Sequence, residues 1–142
     1  MPELPEVETM RRGILGIVGA TVVKAARTPC SKRPIVIKPR IDHLNKRLQG
    51  KTIASVDRLG KRVVIRLDSD DRLIFEPRMT GLVLIADPPT DEHLRFCLQI
   101  KKCPIKKVLF WDRRGLGNVT LLSPSEYETK LTDGKLGPDA LA

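Results

Sequence analysis

The chain has 142 residues, with 26 Lys and Arg against 17 Asp and Glu, a net charge of +9 and an isoelectric point near 9.8. That length supports one ordinary domain core, and 41% apolar residues argue against intrinsic disorder. The longest apolar run, Leu82 to Ala86, falls far short of the ~20 residues of a membrane span, and Glu3, Glu6 and Glu8 stand where a signal peptide would be basic and then apolar, so a cytoplasmic protein is expected.

In chain order, Pro2-Glu3-Leu4-Pro5-Glu6 reads as a helix start, with prolines and acids in the first turn. Val7, Met10, Ile14 and Ile17 follow at helical spacing, so one apolar stripe is expected, ending near Gly16 or Gly19. Strands are predicted over 20–26, 52–59, 62–67, 72–75, 82–86, 94–100, 105–111 and 119–122, where β-branched or alternating apolar residues dominate. Turn chemistry lies between them at Asp68-Ser69-Asp70-Asp71, Asp87-Pro88-Pro89-Thr90 and Arg114-Gly115-Leu116-Gly117. Short helices are predicted over 40–49 and 123–131, the latter capped by Ser123 or Ser125. The fold expected is mainly β (α+β): an antiparallel β-sandwich of about eight strands with an N-terminal helix and short flanking helices. Residues 1–133 form that domain, and 134–142, Gly- and Pro-containing and without periodicity, are expected to open a linker.

The basic residues come in pairs along the chain, among them Arg11-Arg12, Lys61-Arg62, Lys106-Lys107 and Arg113-Arg114. Singly, each pair is a solvated surface; together with the overall charge they fit a polyanion partner. Three Phe, one Trp and one Tyr are few for a single-strand binder that stacks bases on rings, so duplex backbone contact fits better. Cys30, Cys97 and Cys103 match no zinc-ligand spacing, and Cys97 and Cys103 are expected as buried thiols. His43 and His93 stand far apart, so no metal site is expected within the chain.

The N-terminus carries chemistry of its own. Once Met1 is removed, Pro2 presents a secondary amine that titrates near 8 and lower at the positive end of a helix. Such an amine attacks an aldehyde-level carbon to give an iminium, an electron sink that drives elimination. Glu3 is placed to shuttle protons, and Glu6, one turn on, to orient the site or satisfy backbone N–H groups. The same three residues also suffice to start and cap a helix.

Met1 through Thr9 with Arg11-Arg12-Gly13 closely resembles the N-terminal signature of the formamidopyrimidine-DNA glycosylases, bifunctional base-excision repair enzymes. Leu59-Gly60-Lys61-Arg62 is similar to that family's strand-entry lysine motif, and Arg78-Met79-Thr80-Gly81 to its Met-Ser/Thr-Gly loop. Trp111-Asp112-Arg113-Arg114-Gly115-Leu116-Gly117 resembles its Asp-Pro-Arg-Arg-Phe-Gly turn, and Leu136-Gly137-Pro138 the opening of its interdomain linker. The resemblance implies that Pro2 attacks C1′ of an everted oxidised purine nucleotide, expels the base and forms a Schiff base. It makes Glu3 the general acid/base, Glu6 a supporting catalytic carboxylate, and Lys61 a proton donor or phosphate holder during strand elimination. Met79, Arg114 and Leu116 would fill the gap left by the everted base, whose extrusion costs a few kcal/mol.

The partner implied is double-stranded damaged DNA, bound by a monomer in the bacterial cytosol or nucleoid. The family's second domain, with a helix-two-turn-helix element and a four-cysteine zinc finger, finds no counterpart in this sequence; no cofactor is expected in this chain, and the chain alone is expected to be inactive or severely impaired. Several positions depart from the family pattern. Glu76 and Asp91 stand where histidines contact DNA, Gly115 replaces an Arg and Leu116 a Phe, changes expected to weaken phosphate binding. A non-catalytic duplex-binding module of the same lineage is the alternative. The small N-terminal-proline tautomerases share the Pro2 amine but lack the acidic start, the basic surface and the Asp-Arg-Arg turn.

Overall fold

A computed structural model describes residues 4–134 of the chain. Two sheets pack face to face, as the alternating apolar segments require. One has four antiparallel strands in the order β1 (Thr21–Arg27), β7 (Leu94–Lys101), β8 (Lys107–Asp112), β6 (Gly81–Leu84). The other runs β2 (Val36–Lys38), β9 (Asn118–Leu122), β5 (Arg72–Glu76), β4 (Arg62–Leu67), β3 (Ile53–Leu59). Phe75 from the second sheet meets Phe96 and Phe110 from the first at ring-centroid distances of 5.8 and 5.9 Å, and these three buried rings form the centre of the core.

Helix α1 (Leu4–Gly13) closes one end. Val7, Met10, Ile14 and Ile17 all enter the core, as their spacing requires, although regular helix stops at Gly13 and a 3-10 turn over Leu15–Ile17 carries the last of them. Helix α2 (Ile41–Leu48) buries Leu44 and Leu48. Helix α3 (Pro124–Thr132) starts at the expected cap: the Glu126 N–H donates to Ser123 Oγ at 3.2 Å, and the Ser123 N–H to Glu126 Oε1 at 2.8 Å. Tyr127 and Leu131 of α3 cover a second apolar cluster of Leu59, Val64, Ile74 and Leu122 on the outer face of the five-stranded sheet. Val63, Val64 and Ile65 are therefore all buried, each sheet face having its own cover.

Two sequence expectations need correction. The sandwich is not wholly antiparallel: β2, absent from the sequence reading, pairs parallel with β9 and extends the five-stranded sheet. The three residues of β2 are too few to show a period, and their pairing depends on a neighbour more than 80 positions away. Cys97 and Cys103 are half-buried rather than buried. Cys97 points away from the core that Phe96 and Leu98 enter, and the desolvation it does experience pushes its thiol pKa up.

Helix α1 is tied to β3 by charge. The Glu8 carboxylate accepts from Arg11 Nη2 at 2.6 Å and Arg12 Nε at 2.9 Å, with Arg58 Nε of β3 at 3.5 Å. Arg11 Nη1 also donates to the Val56 carbonyl at 3.2 Å. The Arg11 hydrogen bond, with Arg12 adding to it, pulls the Glu8 pKa from 4.5 down to about 2. A depressed carboxyl pKa stabilises the folded state above the unfolded value, so this contribution is complete above about pH 5 and is lost as pH falls through about 2. Amide shifts of α1 followed by NMR should therefore move between pH 5 and 2, and Glu8→Gln should remove that step. An unchanged acid profile in Glu8→Gln would place the titration elsewhere.

Candidate nucleic-acid interface

Two turns at the same end of the sandwich carry the predicted inserting residues. The first joins β5 to β6 and is closed by the Gly81 N–H donating to the Pro77 carbonyl at 2.8 Å. Met79 at its tip is 40% exposed. The second joins β8 to β9 and holds Arg114 exposed and Leu116 half-buried. Gly115 adopts φ +69° with its Cα against the Arg33 carbonyl, where a Cβ would stand 2.7 Å from that oxygen. No side chain fits there without displacing that carbonyl. Gly117 is equally confined, since a Cβ on it would lie 2.7 Å from the Glu76 carbonyl at the root of the first turn. The two turns meet because their flanking strands pair: Gly81 lies opposite Asp112 in one sheet, and Glu76 opposite Asn118 in the other.

Met79 and Leu116 line one groove of about 550 Å³ that runs along the outer face of the five-stranded sheet toward α3. Arg33, Lys38, Arg62, Arg78 and Lys130 also line it, with Glu76 as the one acid among the described residues. The Glu76 carboxylate is held by Arg62 Nε at 2.8 Å and by the Asn118 side-chain N–H at 3.1 Å. Its charge is thus met within the protein, which reduces the opposition to phosphate expected from the sequence. Asp91 is exposed. Lys61 sits half-buried at the β3–β4 turn, next to Arg62 of the groove.

The structure does not gather every predicted residue. Glu6 is exposed on α1 and lines a different, mainly apolar groove with Met10, Ile14 and the β6 segment. Pro2, Glu3 and the Leu136-Gly137-Pro138 segment lie outside the described residues. Among the described residues, no three His, Cys, Asp or Glu side chains are arranged to hold a metal ion, and no helix is long and apolar enough to cross a membrane.

Two buried polar residues central to this region were not among the predicted site residues, although Asp112 lies in the motif of the second turn. Asp112 is completely buried, and Arg95, inside an otherwise apolar strand, is 3% exposed. Arg95 Nε donates to the Asp112 carbonyl at 2.8 Å, and its terminal nitrogens to the carbonyls of Arg33 and Arg113. One buried guanidinium therefore fixes the entry to the second turn and ties it to the segment before β2, since a buried guanidinium left without acceptors would carry a large desolvation cost. The hint available for Arg95 was its isolation between Leu94 and Phe96.

Comparison with known proteins agrees with this architecture. The formamidopyrimidine-DNA glycosylase N-terminal domain family matches residues 1–119. Formamidopyrimidine-DNA glycosylases of Lactococcus lactis subsp. cremoris and Chloroflexus aurantiacus are each 32% identical to the chain, over 98% and 100% of it and 50% of their own length. The chain thus spans about half the length of these relatives. Solved structures of Lactococcus lactis Fpg superpose over 94% of the chain and 49% of their own. The complex with an abasic site containing DNA has a TM-score of 0.77, and that with a FAPY-dG containing DNA 0.76, both at 29% identity. With the family's N-terminal domain matched over residues 1–119 and the fold shared over 94% of the chain, the chain belongs to the formamidopyrimidine-DNA glycosylase family, over the part that forms its N-terminal domain.

Proposed function

We propose that this chain supplies the catalytic N-terminal half of a base-excision DNA glycosylase with AP-lyase activity on oxidised purines. The observation that carries the reading is the convergence of Met79 and Leu116 on one cation-lined groove in a chain of this family. Pro2 is the nucleophile: its nitrogen bonds to C1′ as the bond from C1′ to the base breaks, the base leaving with a proton. The C1′–O4′ bond then opens, O4′ taking a proton, and an iminium is left at C1′. Glu3 moves protons to and from the leaving base and sugar. Loss of a C2′ proton from the resulting iminium expels the 3′ phosphate, with Lys61 holding phosphate or donating a proton. Glu6, on the separate α1 groove, acts through the helix start rather than beside the wedge. Met79 and Leu116 fill the vacated apolar space, and Arg114 hydrogen-bonds the orphaned base on its open edge. The partner is double-stranded damaged DNA, taken up by a monomer in the cytoplasm, and residues 134–142 begin the linker toward a second DNA-binding domain.

Alone, the chain should bind an abasic-site duplex weakly, with phosphate contacts dominating. If Arg33, Lys38, Arg78 and Lys130 each neutralise one phosphate, Arg62 being paired with Glu76, log K should fall against log salt with a slope of about −3.6, roughly a 150-fold loss between 50 and 200 mM. Replacing Arg33 and Lys38 by alanine should reduce the slope by about 2. Fluorescence anisotropy at several salt concentrations checks both. A wild-type slope shallower than about −1 would remove the groove from the DNA-binding face.

A further inference from the structure

The two turns belong to distant parts of the chain, and a single buried carboxylate joins them. Asp112 Oδ1 accepts the Thr80 hydroxyl at 2.7 Å, and Asp112 Oδ2 accepts the Gly117 N–H at 2.7 Å. Thr80 Oγ1 in turn accepts the Arg114 N–H at 3.0 Å. A hydroxyl has one proton to give and lone pairs to receive with, and Thr80 uses both: its proton goes to Asp112 and a lone pair to the Arg114 amide. The first turn, the end of β8 and both halves of the second turn are thereby closed into one hydrogen-bonded ring. Met79 is the residue before Thr80, and Leu116 the residue before Gly117.

We propose that Thr80 and Asp112 are positioning residues that lock the two turns into a single rigid wedge, so that Met79, Arg114 and Leu116 enter the base stack as one unit. This rests on the reading of those three as inserting tips. Two turns that moved independently would lose conformational freedom at the moment of insertion. Joined in advance, they lose it on folding, so on a duplex already held by phosphate contacts the inserted state is the more populated. Two features mark the link as more than packing. Asp112 is a fully buried carboxylate whose side-chain hydrogen bonds, among the described residues, go only to these two turns, and Thr80, half-buried, spends its hydroxyl on both partners. Valine would keep the shape of Thr80 and lose both bonds. Serine would keep both bonds and lose only a methyl group.

The test uses the full chain with Thr80→Val and Thr80→Ser, each checked for a cooperative melt. In Thr80→Val, hydrogen exchange at the Arg114 amide should rise about tenfold while the β8 strand amides stay protected, and Thr80→Ser should restore it. On an abasic-site duplex carrying 2-aminopurine beside the gap, the fluorescence change at saturation reports unstacking by the wedge. Thr80→Val should lower that amplitude about twofold or more, with affinity changed by less than about threefold, and Thr80→Ser should match wild type. Unchanged Arg114 exchange in Thr80→Val, or a rise spread evenly over the chain, overturns the lock. If Met79→Ala lowers the amplitude and Thr80→Val does not, the lock falls and the wedge reading stands. If Met79→Ala and Leu116→Ala both leave the amplitude intact, the wedge reading falls, and the proposal with it.

Discussion

Borohydride added to the chain with Pro2 as its first residue, mixed with an abasic-site duplex, should fix a covalent protein–DNA adduct; the chain retaining Met1 should give none. The free Pro2 nitrogen adds to the ring-opened sugar aldehyde, water leaves, and hydride reduces the resulting iminium to a stable amine. With Met1 attached, that nitrogen is an amide with no basic lone pair, and the adduct should fall by about 100-fold or more. Pro2→Gly keeps a primary amine and should still be trapped. The reaction belongs at low salt, where phosphate contacts hold the complex, and the yield should be far larger with this chain joined to the remaining half of a relative than with the chain alone. Mass spectrometry of the digested adduct should place the sugar on the N-terminal peptide. Robust trapping by protein bearing Met1 would move the nucleophile to another amine, with Lys61 the first to substitute.

Phe75→Ala should cost about 3–5 kcal/mol, enough to threaten folding of a domain whose whole stability is of order 5–15 kcal/mol. Phe75 is fully buried on β5, between β4 and β9, and its ring joins the two sheets through Phe96 and Phe110. Truncation removes the ring's own burial and leaves a cavity that two aromatic neighbours from the opposite sheet cannot close without moving their strands. For a chain of this length, the melting midpoint should drop by roughly 10–15 °C. Phe75→Leu, which refills most of the volume, should recover much of that. A shift of only a few degrees in Phe75→Ala would mean that the sheets are held together elsewhere.

The elements legible in the sequence were those whose cause is local. Val7, Met10, Ile14 and Ile17 share a face because of helical geometry alone, and all four are in the core. Ser123 and Glu126 are three positions apart, so their capping box needs nothing beyond the first turn of α3. The motif residues Lys61, Met79, Arg114 and Leu116 were visible one by one, each as part of a short string.

What joins them was not visible, because it depends on strand register. Thr80 and Asp112 are 32 positions apart and meet only because β6 pairs with β8 so that Gly81 lies opposite Asp112. Glu76, read as a charge opposing phosphate, finds Arg62 and Asn118 because β4, β5 and β9 lie side by side. The parallel strand β2 exists only because β9 offers an edge to it. Glu6 shares the helix start with Pro2 and Glu3 in sequence, yet it lines the α1–β6 groove rather than the groove of Met79 and Leu116. Local propensity acts over a few residues, whereas a one-residue slip in any pairing would turn these side chains to the other face. The sequence thus determined the elements and the chemistry they carry, and the tertiary pairing alone decided which of those groups act together.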